Sequence, residues 1–460
     1  MALAPLAQFT TKAARSRYWN KYMETLPRAQ LDALHLRKLR LLLHYAYDNV
    51  AFYRQRYDDA GFKPGDVNSL DDFKRKCPII DKKDFIQLQQ SQPPYGPTQA
   101  LPMEMIAHHC ETSGTTGIPL AIPYSAYDTE RYGESWCYSF WALGIRPSDT
   151  FYFAFNWGNF AGLWSTYWGV RRFGARVISG GGSDTKAHIN NILRMKPTVL
   201  CATPTFAMRL AQVAREMGVD PSKTSIKFTI GGGEPGPFAL SAMRKSLDEM
   251  WGARSCDQMG IAEIDAFGTG DPARDGVLVN EMNVFCWSVD PDTLKEVPDG
   301  KIGENIVTSY VNSAQPLINY RTHDLVRRVK SKSGGRTWAK FEGVVLGRTD
   351  FMVTVRGTNV YPTAVQNLLG EVPGVSQHYQ LVLTRENEME RMTILFEPEP
   401  NVPETDWNAV AERAQSHIHA TLRVRLETEI AKPGTLPRYE LKTTRIVDKR
   451  PKEFRRALDR

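Results

Sequence analysis

Apolar residues at Leu39, Leu42, Leu43 and Ala46 follow the 0, 3, 4, 7 spacing that gives an α-helix one apolar face. The first hundred residues keep this helical rhythm. Within them "SLDDF" and "IIDKKDF" read as starts of short helices, with Ser69 and Asp81 as caps. From about residue 150 the pattern changes to short apolar runs: "FYFAF" (151–155), "ARVIS" (175–179), "TVLCA" (198–202) and "IKFTI" (226–230). Helical stretches such as Thr205 to Gly218 lie between the later runs, which predicts βαβ units and a mostly parallel sheet. Ligands of such sheets sit beyond the carboxyl ends of the strands, so the loops after these runs are where chemistry is expected.

After about residue 270 the runs "KIGENIVTSY" (301–310) and "PLINYRTHDLVRRV" (316–329) predict a β-subdomain around a turn. Beyond "GRTDFMVTVRG" (347–357), strands at 377–384 and 391–398 flank a polar hairpin. A helix near 404–422 and a last strand at 443–448 complete a small α+β domain. The expected fold class is α/β: a large N-terminal domain with a mostly parallel βαβ sheet and a β-subdomain, then a small mobile α+β domain. The expected division is 1–347, with a helical start (1–100), an α/β core (101–270) and a β-subdomain (271–347), followed by 348–460. The boundary falls at Arg348 to Phe351.

Composition narrows the class without naming a function. With 460 residues the chain can bury a large core, and 42% hydrophobic with 24% charged residues is ordinary for a globular protein. The net charge of +7 is mild, and part of the excess lies in the tail after Glu440. No aromatic residues interleave with the basic ones, so no nucleic-acid partner is expected. Six scattered cysteines without a CxxC pair exclude a zinc-ligand pattern and make a reducing cytoplasm the expected location. His108 and His109, adjacent in a predicted strand, point to opposite faces and do not form a metal pair; nor do His417 and His419 in a predicted helix. The uncharged run 150–170 is long enough to raise the membrane question. Its two asparagines and three glycines favour a buried strand, a loop and a helix instead, so no membrane partner is expected.

Four stretches carry candidate chemistry. In "CETSGTTGIPL" (110–120), Thr112, Ser113, Gly114, Thr115, Thr116 and Gly117 can wrap an anion with backbone N–H groups and hydroxyls; alone, such a run is more often a surface turn between strands. It lacks the lysine of a GxxxxGK[ST] loop, because Ile118 follows Gly117. "DQMGIAE" (257–263) puts Glu263 near a sheet edge, where a carboxylate suits Mg²⁺ or simply begins a helix. In "YRTHDL" (320–325), Asp324 can accept hydrogen bonds from a ribose diol, or pair with Arg321 or Arg327. "LPRYELK" (436–442) offers Lys442, a point charge for a phosphate or one more cation of a basic tail.

In this order, the stretches resemble the adenylate-forming ligase superfamily and its phenylacetate–coenzyme A ligase branch, nearly end to end. Residues 18–62 resemble that branch's helical start and "TSGTTGIP" its phosphate loop. "GGGEPGP" (231–237) and "DQMGIAE" are similar to its next two motifs. "INYRTHDL", "LGRTDFMVTVRGTNVYP" (346–362) and "GTLPRYELKTTRIVDKRP" (434–451) follow in family order.

The resemblance implies ATP- and Mg²⁺-dependent activation of a carboxylic acid to an acyl-adenylate, then transfer to coenzyme A with release of AMP. It implies that Thr112 to Gly117 cradle the phosphates. Gly233, Glu234 and Pro235 line the adenine and substrate side, and Asp257, Gln258, Met259 and Gly260 the adenine face. Glu263 binds Mg²⁺, Asp324 with Arg348 holds the ribose, and Lys442 contacts the acyl carboxylate and α-phosphate. Asp350 matches the hinge about which the C-terminal domain rotates. Trp157, Phe160, Trp164 and Tyr167 fall where the branch builds its acyl pocket, which suits an aromatic acid. Homodimers are common in the family. Ile118, Met259, Ala262 and Leu441 depart from the family pattern. They leave open a non-catalytic nucleotide or acid binder, and the resemblance also leaves open an adenylating enzyme with another acceptor, an amine or a carrier thiol.

Overall fold

The computed structural model describes residues 16–112, 119–233, 236–331, 334–349, 353–355, 358–360, 362–386, 389–422, 424, 426–437 and 446–450. The N-terminal part is helical as expected, with helices Arg28–Asn49, Ala51–Asp59, Leu70–Lys76 and Lys82–Ser91. The longest buries Leu31, His35, Leu39, Leu43 and Ala46 along one stripe. Each buried leucine contributes roughly 2 kcal/mol by leaving water. Ser69 accepts from the Asp72 N–H and Asp81 from the Lys83 N–H, so both caps stand where expected. Polar contacts also fasten the long helix: Arg28 forks onto the buried Glu281 carboxylate at 3.0 and 2.9 Å.

Five parallel strands form the central sheet, in the order Arg176–Ser179, Thr150–Phe153, Val199–Cys201, Phe228–Ile230, Arg254–Cys256. Thr150–Phe153 is buried along its whole length, the signature of a strand covered on both faces. The uncharged run at 150–170 resolves into that strand and the helix Ala161–Phe173. Among the described residues no helix is long and apolar enough to cross a membrane. All six cysteines are buried and unbridged.

A seven-stranded antiparallel sheet follows, ordered Val284–Val289, Ile302–Ser309, Tyr320–Lys330, Ala339–Arg348, Gly276–Val279, Asp265–Gly270, Met259–Ile261. It starts at Met259, earlier than the change of pattern at 270 suggests. The reason is local: Met259–Ile261 has three residues and turns at once, so it shows no alternation to read. A mixed four-stranded sheet closes the chain, in the order Glu427–Ile430, Met389–Pro398, Val375–Glu386, Ile446–Asp448. Its apolar face and the helices Pro362–Gly370 and Trp407–Leu422 build a separate core around Val365, Leu381, Phe396, Val410 and Ile418.

Candidate active site

The glycine- and hydroxyl-rich loop joins the antiparallel strands Ile106–Glu111 and Ala121–Ser125. Ser113, Gly114, Thr115, Thr116, Gly117 and Ile118 lie outside the described residues, as do Glu234, Pro235, Asp350, Leu441 and Lys442. Thr112 is described and closes the base of the loop. Its N–H donates to the Leu120 carbonyl, and its Oγ1 accepts from the Leu120 N–H, each at 3.0 Å. The hydroxyl oxygen thus accepts a backbone bond and keeps its own O–H to donate.

Glu263 sits in the turn between Met259–Ile261 and Asp265–Gly270, not at the start of a helix. It is buried. Its Oε1 accepts from the Tyr320 hydroxyl at 3.1 Å and lies 3.2 Å from Lys82 Nζ. Its backbone carbonyl accepts from Asn312 Nδ2 at 3.0 Å, and Asn312 Oδ1 accepts from the Tyr132 hydroxyl. These anchors fix the turn on both sides, so the carboxylate is held before any ligand arrives. Lys82 and Tyr320 are missed by sequence reasoning. The signal "IIDKKDF" is read only as a helix start, and nothing in it announces a partner far along the chain.

Asp324 lies within the strand Tyr320–Lys330, opposite Arg348 in the register. It is buried, and its Oδ1 accepts from the Arg348 guanidinium at 2.7 Å. The ion-pair partners weighed for it from sequence go elsewhere: Arg321 binds Glu304 and Arg327 faces Glu342. The neighbouring His323, at φ +61°, reaches Asp81 Oδ2 with Nε2 at 2.9 Å and Thr349 Oγ1 with Nδ1 at 3.1 Å. Burial alone would raise the Asp81 carboxyl. The hydrogen bond and charge of His323 overcome it and hold the group at about 2. Backbone bonds between Ile80 and both Asn319 and Arg321, each 3.0 Å, run beside this contact. The start of the Lys82–Ser91 helix is thus stitched to the strand that carries Tyr320 and Asp324.

The Asp257 carboxylate follows the last parallel strand and is buried, which pushes its pKa up to about 6. It accepts from the Phe238 N–H at 3.0 Å and the Gln258 N–H at 2.8 Å, tying the strand end to the segment after "GGGEP". Gly236 makes this possible, because a Cβ there would stand 2.4 Å from the carboxylate oxygens. Gly233 takes φ +84°, a left-handed conformation that favours glycine. Met259 is turned into the core and is 3% exposed, while Gly260 is exposed and Gln258 partly so. The thioether therefore packs inside the protein and offers little surface to a bound base.

Three of the four candidate acyl-pocket aromatics meet. Trp157 lies 5.0 Å from Trp164 and edge-on to Tyr167 at 5.6 Å. Both indole N–H groups are engaged, Trp157 with Ser179 Oγ and Trp164 with the Gly158 carbonyl. Phe160 stands apart, 53% exposed, beside the end of the strand Ile106–Glu111. His108, on the inner face of that strand, packs against Trp164, Trp168 and Tyr124, while His109 turns the other way to Tyr95 and Glu111. As expected, the two histidines do not converge.

Residues 33–313 match the family model described as AMP-binding enzyme, and residues 357–450 the AMP-binding enzyme C-terminal domain. The chain belongs to the AMP-binding enzyme family. It is 34% identical to the phenylacetate–coenzyme A ligase of Thermus thermophilus, over 93% of this chain and 98% of that protein. Among solved structures, it resembles a 2-hydroxyisobutyryl-CoA ligase in the postadenylation state in complex with 2-HIB-AMP. The TM-score is 0.88 at 28% identity, covering 100% of this chain and 96% of that one. The same ligase in its thioesterification state, with 2-HIB-AMP and CoA, gives a TM-score of 0.72 at 28% identity, covering 98% and 94%. The adenylate-forming, phenylacetate–coenzyme A ligase-like character expected from the motifs, and the α/β fold class with it, are borne out.

Proposed function

We propose that the acid activated here is aromatic, and that the residues assigned by resemblance divide the work around one fixed pair of carboxylates. The chain is an AMP-forming acid–coenzyme A ligase: ATP activates a carboxylic acid, and coenzyme A receives the acyl group. In the first step a carboxylate oxygen attacks the α-phosphorus and pyrophosphate leaves. In the second the coenzyme A sulfur attacks the acyl carbonyl, its thiol proton is lost, and AMP leaves with the electron pair of the broken C–O bond. AMP leaves an acyl phosphate readily, whereas hydroxide leaves a carboxylate poorly, which is why ATP is spent first.

The supporting observation is the placement of Glu263 and Asp324. Both are buried carboxylates, and the strand holding Asp324 also supplies the Tyr320 hydroxyl to Glu263. Residues 112–117 bind the phosphates, Asp324 with Arg348 binds the ribose hydroxyls, and Gly233 to Pro235 with Asp257, Gln258 and Gly260 border the adenine, Met259 being turned into the core. Lys442 offsets charge as the acid meets the α-phosphate, by electrostatic stabilisation. Glu263 suits Mg²⁺: a hard cation needs one or two protein carboxylates when nucleotide phosphates complete its shell. Mg²⁺ bound there would offset phosphate charge.

The domain division at 347/348, with Asp350 as pivot, is also proposed. The better agreement with the postadenylation relative (TM-score 0.88 against 0.72) supports a C-terminal domain that takes more than one position. The aromatic ring is supported by Trp157, Trp164 and Tyr167, which cluster at the segment assigned to the acyl pocket. A cytoplasmic location fits the six unbridged cysteines. A homodimer is proposed on family grounds, for sedimentation to test.

ATP–pyrophosphate exchange across aryl, arylacetic and aliphatic acids tests this reading, followed by coenzyme A-dependent AMP release with the best acid. Exchange confined to aliphatic acids would overturn the aromatic assignment. AMP release that ignores coenzyme A but follows an amine or a carrier thiol would overturn the acceptor.

A further inference from the structure

Among the described residues, two polar atoms beside the acyl-pocket aromatics are buried and have no hydrogen-bond partner: Nε2 of His108 and Oδ2 of Asp265. Native interiors rarely leave such atoms unsatisfied, and each one asks for a ligand, a water or a role. His108 is held by the rings of Trp164 and Trp168. Asp265 lies two residues beyond Glu263 and is 3% exposed. Its Oδ1 accepts from the Ser165 hydroxyl, on the helix that carries Trp164 and Tyr167. The Trp136 indole N–H donates to Ser165 Oγ at 3.1 Å.

The backbone makes the placement of Asp265 more pointed. It adopts φ +65°, a conformation glycine enters with least strain. Gly260 across the hairpin must be small to let it in, since a Cβ there would meet the Asp265 carbonyl at 2.5 Å. A glycine at 265 would satisfy the turn and leave no orphan oxygen. The chain instead puts a carboxyl here, beside Cys110, Tyr124 and Tyr132. Unusual backbone conformations and unsatisfied polar groups concentrate where a site is being shaped.

We propose that Asp265 is a specificity-determining residue: its free Oδ2 accepts a hydrogen bond from a hydroxyl group on the ring of the acid. The inference rests on the reading that the Trp157–Trp164–Tyr167 segment lines the acyl side. It deepens that reading by naming a hydroxylated aromatic acid as the substrate class. A neutral hydroxyl fits better than an ammonium, because surroundings this apolar penalise a buried ion pair. A site built to bond a hydroxyl also disfavours the analogue lacking it, since the buried acceptor is then left unpaired.

The test is ATP–pyrophosphate exchange with phenylacetate and its three ring-hydroxylated isomers, on the wild type, Asp265→Gly and Asp265→Asn. Glycine suits the left-handed backbone and removes the acceptor. Asparagine keeps the shape and an acceptor oxygen. The expected result is at least a tenfold preference in kcat/KM for one hydroxylated isomer, carried mainly by KM, kept by Asp265→Asn and abolished by Asp265→Gly. A preference that Asp265→Gly leaves within twofold of the wild type would overturn the proposal, as would equal use of all four acids by the wild type. A preference for the aminated analogue over the hydroxylated one would overturn the neutral-donor assignment. Failure of all aryl acids alongside exchange with aliphatic ones would instead refute the aromatic reading beneath it.

Discussion

Removing the cation that faces Glu263 is the perturbation with the most direct arithmetic. Lys82 Nζ stands 3.2 Å from Oε1 of a carboxylate only 8% exposed, while Lys82 itself is 31% exposed. Two unit charges this close interact by about 5 kcal/mol at an effective dielectric near 20. With the lysine partly exposed and the carboxylate buried, the pair falls between the value of an exposed ion pair and that of a broken buried one, roughly 1–3 kcal/mol. The usual lysine after the phosphate loop is Ile118 here, and on the function proposed above Lys82, a cation already beside Glu263, would offset triphosphate charge in its place. At about 1.4 kcal/mol per factor of ten, Lys82→Ala should lower kcat/KM for ATP by about 10- to 100-fold in pyrophosphate exchange. Lys82→Arg should recover most of the loss, because a cation is restored at similar reach. Thermal unfolding separates the readings: a merely structural pair would lower Tm, with exchange per folded molecule unchanged. Exchange within threefold of wild type for Lys82→Ala would refute the reasoning.

Glu263→Gln keeps the Tyr320 contact but loses the charge, and exchange at saturating ATP is expected to fall at least 100-fold, with the deficit growing as Mg²⁺ is lowered. Asp81, held at about 2 against 3.8 when unfolded, stabilises the fold at pH above about 4, and this stabilisation is lost as pH falls toward 2. Asp81→Asn should therefore destabilise by about 1–2 kcal/mol at pH 7, allowing for partial exposure, with about half of that deficit left near pH 3 by urea unfolding; an equal deficit at both values would remove the charge from the explanation. Gly236→Ala drives a Cβ into the Asp257 carboxylate. The displaced Phe238 N–H contact is expected to cost about 2 kcal/mol in Tm-derived stability, and an unchanged Tm would mean that the loop yields freely.

What the sequence conveys well is whatever repeats locally. Leu39, Leu43 and Ala46 announce one helix face, Ser69 and Asp81 announce their caps, and Thr150–Phe153 stands out as a run buried on both sides. The motif order carries the family because the spacing of several distant stretches is far harder to meet by chance than any one of them. What stays hidden is pairing across the fold. Lys82 looks like one more basic residue of a short helix until the Ile80–Tyr320 bridge brings it to Glu263. Asp324 offers two nearby arginines, yet the strand register gives it Arg348, because side chains directly across a ladder meet while near neighbours along a strand point elsewhere. Met259 illustrates the same limit from the other side: in a three-residue strand, alternation alone turns it into the core and leaves Gly260 outside. Asp265 is the extreme case, since its left-handed backbone and its unpaired oxygen both arise from the hairpin that forms around it. The motifs thus carry the reaction class, while the contacts that hold Glu263, Asp324 and Asp265 in place exist only once the chain has folded.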